Sequence, residues 1–126
     1  MGAYLKESFG TDAYLIGFEF SEGAFTSRTE KIDIFAVNSA SPTFYAYALS
    51  MLDEPVLFLD MATMQQVPLL DEWLNTPQRT HEIAELYHLG RLLPGTRTSS
   101  YPLPDLYDGL IFVEKSTPAV VLPNVK

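Results

Sequence analysis

The chain has 126 residues, with 16 acidic against 8 basic side chains and a formal charge of −8; hydrophobic residues make up 47% and charged residues 19%. That composition supplies a core and leaves too little charge for a disordered solvating tail, while the absence of cysteine excludes disulfides, iron–sulfur clusters, thiolate zinc and a thiol nucleophile. The acidic balance and the scatter of the basic side chains oppose nucleic acid as a partner, and no apolar run approaches the roughly 20 residues that cross a bilayer.

In chain order, Gly2–Phe9 reads as a short helix with Leu5 and Phe9 on one face and Gly10 placed to close it. Residues 13–20 alternate as a strand, with Tyr14, Ile16, Phe18 and Phe20 on one face and Leu15, Gly17 and Glu19 on the other. Ser21, Glu22 and Gly23 signal a turn into residues 24–29, suiting a hairpin or a tight bend, and Ile32–Val37 is again extended. Ser41 and Pro42 offer a helix cap and first-turn proline for a helix through about Asp53. Residues 55–61 suit a strand covered on both faces. Residues 67–75 suit a helix with Leu70 and Leu74 inward, and residues 77–89 a further helical stretch. The proline-rich residues 90–104 read as a loop, residues 106–114 as a closing strand, and residues 119–126 as an extended tail. No repeat or linker divides the chain, so residues 1–126 read as one α/β domain: a layered, mostly parallel or mixed sheet flanked by helices.

The common hydrolase, NTPase, dinucleotide and zincin motifs are absent from the sequence. His81 and His88, with Glu85 between them, would share one face of a helix over residues 77–89, a spacing compatible with a metal. The commonness of charged helical faces favours a solvated face instead, and no metal or cofactor is assigned. Glu19 stands out in an otherwise apolar strand, three residues before Glu22. Asp60, at the end of another apolar run, fits a cap for the turn that follows it. Glu19, Glu22 and Asp60 form the candidate polar cleft, since functional groups in open α/β sheets gather at strand ends. Asp108 and Gly109 read as a turn before the last strand.

Residues 1–5, 14–20 and 22–25 resemble a stretch of the erythromycin esterase family, some of whose relatives carry a succinoglycan-biosynthesis label. Residues 107–119, beginning Tyr107, Asp108 and Gly109 and ending Thr117, Pro118 and Ala119, are similar to the strand and tail with which members finish. Trp73, Leu74, Arg79 and Tyr87 fall between them in the expected order. The resemblance implies the C-terminal portion of a larger fold, in an enzyme family that opens macrolide lactones or hydrolyses related esters by activating water with histidine and acidic residues, without a serine nucleophile or a required metal. The family's histidine motifs lie upstream of the segment this chain matches, so no catalytic residue is assigned and neither His81 nor His88 receives a role.

Two functions follow as expectations. One is a portion of an ester hydrolase, inactive alone, that meets a small-molecule ester only with the upstream part present. The other is a small acidic interaction module without chemistry. Apolar surface left uncovered by a missing half would favour self-association, and the absence of a signal peptide and of cysteine favours the cytoplasm.

Overall fold

A computed structural model of the chain describes residues 2–28, 32–81 and 100–120. Its framework is a four-stranded sheet in the order β2-β1-β6-β3, formed by β1 (Ile16–Arg28), β2 (Ile32–Val37), β3 (Val56–Asp60) and β6 (Gly109–Ser116). β1 runs parallel to β6, while β2 and β3 are antiparallel to their neighbours. The sheet is therefore mixed, as expected. The helices are α1 (Gly2–Phe9), α2 (Tyr45–Ser50), α3 (Met61–Met64), α4 (Pro68–Asn75) and α5 (Leu103–Leu106), and a second sheet pairs β4 (Gln78–Arg79) with β5 (Ser100–Tyr101).

Several expectations are corrected. β1 does not turn at Ser21, Glu22 and Gly23 but continues through them: its first half pairs with β6 and its second half with β2, Gly23 lying opposite both Ser116 and Val37. Gly23 has φ 127°, and a Cβ there would meet the Ser116 carbonyl oxygen at 2.1 Å. The glycine thus serves a close strand crossing rather than a turn. It also breaks the pleat's alternation, since Phe20 and Phe25, five positions apart, join Phe35 in one buried cluster.

The helix after Ser41 starts later and is shorter than expected. The Ser41 hydroxyl lies 2.9 Å from that of Thr43 and its carbonyl accepts from the Phe44 N–H at 3.0 Å, so a turn precedes α2. The strand read at residues 55–61 forms as β3, but at the sheet's edge, with Val56 and Phe58 60% and 57% exposed. It is covered on one face only. Residues 78 and 79 form strand, not helix, because the Arg79 N–H donates to the Thr43 carbonyl at 2.9 Å. Leu74 of α4 is fully buried as expected, whereas Leu70 is only partly covered. Residues 82–99 and 121–126, including Glu85, His88 and most of the expected loop and tail, lie outside the described residues.

The larger core joins α2 (Tyr45, Ala46, Leu49), α4 (Leu74) and α5 (Leu103) to Leu59, Leu110 and Phe112 of the sheet. Tyr45 is fully buried; its hydroxyl donates to the Thr76 carbonyl at 2.6 Å, with the Leu74 and Tyr101 carbonyls 3.3 and 3.2 Å away. One phenol thereby ties α2 to the end of α4 and to β5, and burial raises its pKa above the ordinary tyrosine value.

Candidate functional site

The register sorts the candidate carboxylates by face. Glu19 stands opposite Phe112, which stands opposite Leu57, so all three point to one side of the sheet. That side is the buried one: Glu19 is 1% exposed and Phe112 0%. The next rows carry Phe18, Ile111 and Phe58, and at the strand end Ile16, Gly109 and Asp60. An odd offset from Glu19 sends Asp60 to the opposite side.

A buried carboxylate is costly unless donors surround it, and Glu19 has three. Its Oε2 accepts the backbone N–H of His81 at 2.9 Å, its Oε1 lies 2.5 Å from Nδ1 of the His81 ring, and Oε1 also accepts the Phe20 N–H at 3.1 Å. The ring is held flat between Phe20 and Phe44, with centroids 5.2 and 4.7 Å away. Phe44 packs on the larger core and Phe20 belongs to the smaller one, so His81 bridges the two. Among the described residues nothing hydrogen-bonds its Nε2, and no buried side-chain nitrogen or oxygen lacks a partner.

A carboxylate at Nδ1 fixes the orientation of the imidazole and turns Nε2 away from Glu19. Glu19 stands out in the sequence, and His81 does so only beside Glu85 and His88; nothing local pairs it with Glu19, 62 positions away. His81 follows strand β4 rather than sitting on a helix. Among the described residues no three histidine or acidic side chains gather where they could hold a metal.

Neither of the other two candidates bonds to Glu19. Glu22 accepts from the Ser39 hydroxyl at 2.5 Å. Asp60 caps α3, as expected, accepting the Thr63 N–H at 2.9 Å and the Thr63 hydroxyl at 2.6 Å, and it also accepts the Tyr14 hydroxyl. The Thr63 and Tyr14 donors hold its carboxyl below the usual carboxylate range, and the bond to Asp60 pushes the Tyr14 phenol up to about 12. Asp108, in the turn before β6, accepts the Leu15 N–H and the Lys6 ammonium, both at 2.8 Å, which lowers its pKa too.

The fold is thus a mixed α/β sheet with helices on one face and a carboxylate–imidazole pair beneath them. The chain belongs to the erythromycin esterase family, whose model matches residues 1–116. Two solved structures share the fold. A crystal structure of a Bacillus cereus protein is 20% identical with a TM-score of 0.78, covering 97% of this chain and 29% of that one. A second, described as a succinoglycan biosynthesis protein, is 18% identical with a TM-score of 0.75, covering 92% of this chain and 27% of that one. The chain therefore spans less than a third of either relative's length. Among curated proteins no sequence matches it.

Proposed function

We propose that this chain is the C-terminal portion of an erythromycin esterase-like hydrolase, which opens a macrolide lactone or cleaves a related carboxylic ester by activating water, and that it is inactive alone. The observation that carries the reading is the family match over residues 1–116, on a chain equivalent to 29% of its solved relative. Water activation needs a base within hydrogen-bond reach of the water and donors aimed at the carbonyl oxygen. The family's histidine motifs lie upstream of the matched segment, so this portion provides one wall of the cleft and the framework behind it. A cytoplasmic setting belongs to the same reading.

The test is ester hydrolysis by the chain alone and after mixing with the polypeptide encoded immediately upstream. Turnover by the mixture and none by either part is the expected result. No turnover by the mixture on any lactone or simple ester would remove the hydrolase reading in favour of an acidic interaction module.

A second reading has a specific observation behind it. The His81 ring, with Nδ1 tied to buried Glu19 and Nε2 without a hydrogen bond among the described residues, would let this portion lend an imidazole of its own. Hydrolysis by the chain alone, abolished in His81→Asn, would favour it over the first.

A further inference from the structure

The face of the sheet opposite Glu19 is covered at Phe20, which is 2% exposed and packs with Phe25 and Phe35, but its apolar residues nearer the start of β1 are open. Phe18, Ile111 and Phe58 form one row across three strands, at 56%, 36% and 57% exposure, flanked along the strands by Ile16 at 54% and Val56 at 60%. The helical core residues of α2, α4 and α5 pack instead with Leu59, Leu110 and Phe112 on the Glu19 side.

We propose that this face is the docking surface for a helical layer of the polypeptide that completes an erythromycin esterase-like fold. Three observations argue for that occupant. β1 and β6 are a parallel pair, and sheets of parallel strands are ordinarily covered on both faces, by helices; among the described residues the helical core packs on the Glu19 side alone, and the opposite face is buried only around Phe20. The patch spans three strands, roughly 10 Å at the spacing between neighbours, which is about the width of one helix. And both solved relatives continue for more than twice this chain's length beyond the part that matches it. A second copy fits less well, since it would bring two bodies of charge −8 together.

The proposal rests on the chain being one portion of a larger hydrolase and names the surface that joins the portions. Size-exclusion chromatography with light scattering on the full chain, alone and mixed with the upstream-encoded polypeptide, tests it alongside a Phe18→Lys, Phe58→Lys variant. Both side chains are exposed, so the variant retains the wild-type circular dichroism. A 1:1 complex is expected, with the variant binding at least tenfold more weakly.

A complex that the variant forms as tightly as wild type would overturn the proposal. So would a stable dimer of the chain, sensitive to the variant, that the upstream polypeptide does not displace, and so would the absence of any such polypeptide or complex. A variant-sensitive 1:1 complex without ester hydrolysis would leave the interface standing and remove only the hydrolytic reading.

Discussion

The two faces of the central sheet invert the usual relation between polarity and burial. The side carrying Ile16, Phe18 and Phe20 is the more apolar along β1, yet Ile16 and Phe18, like Phe58 of β3 on the same side, are more than half exposed, and only Phe20 is buried, against Phe25 and Phe35. The side carrying Gly17 and Glu19 is sealed beneath helices. Burial is decided by what packs on a face, and hydrophobicity only reports that something should. Apolar side chains in contact with water mark where a covering layer is wanted, while a buried carboxylate survives because three N–H groups reach it. The covered face should therefore be sensitive to small chemical changes, and the open face tolerant of large ones.

Glu19→Ala provides the largest contrast. It strips the His81 backbone N–H, the His81 ring and the Phe20 N–H of their common acceptor, and removing one partner of a buried pair costs about 3–5 kcal/mol. Urea denaturation of the two chains measures this. A loss under about 1 kcal/mol would mean that water enters and replaces the carboxylate, and the covered face would then be no tighter than the open one.

Gly17→Ala comes next. A Cβ at Gly17 would lie 2.6 Å from the Tyr107 ring, so the ring must move within the core, at a cost of about 1–3 kcal/mol. Tyr45→Phe removes the hydroxyl that ties α2 to Thr76; about 1 kcal/mol is expected, read as a lower denaturation midpoint at unchanged slope.

Much of this arrangement was legible in the sequence, and the failures share a cause. The alternation of residues 14–20 assigned both faces correctly because the pleat has a period of two whatever surrounds it. The cap by Asp60 was legible because Thr63 is three residues away. What alternation does not encode is which face is covered, since that depends on α2, α4 and α5, elements far along the chain. The same limit hid His81 from Glu19. Gly23 misled for another reason: glycine suits a turn and a close strand crossing equally well, and only the approach of Ser116 separates them.

On the open side, Asp60 and Tyr14 respond to pH in opposite senses. Asp60, on the open side, has a carboxyl lowered by Thr63 and Tyr14. A depressed folded pKa contributes stability that is present above the ordinary value of 3.8 and is lost as the pH falls through the folded value. Its partner acts in the opposite sense. The Tyr14 pKa is raised to about 12 from 10.0, so its contribution is present below pH 10.0 and fades as the pH climbs through about 12. An ultraviolet titration should show two tyrosines ionising late, Tyr14 and buried Tyr45, of which one returns to the ordinary range in Asp60→Asn. An unchanged late amplitude in that variant would mean that the bond to Asp60 does not hold the Tyr14 proton.

The smallest expected effect is the most direct probe of the open face. Phe18→Ser replaces a phenyl ring that is already 56% exposed, and a surface change of this kind falls within about 0.5 kcal/mol of neutral. The same substitution in the complex with the covering layer should cost more, since a buried aromatic then leaves a cavity, worth about 3 kcal/mol or above. The difference between the two denaturation experiments isolates what the proposed layer would contribute at one position. If Phe18→Ser destabilises the isolated chain as much as the complex, the ring is already packed against something in the chain itself, and the distinction between a sealed and an open face disappears at its centre.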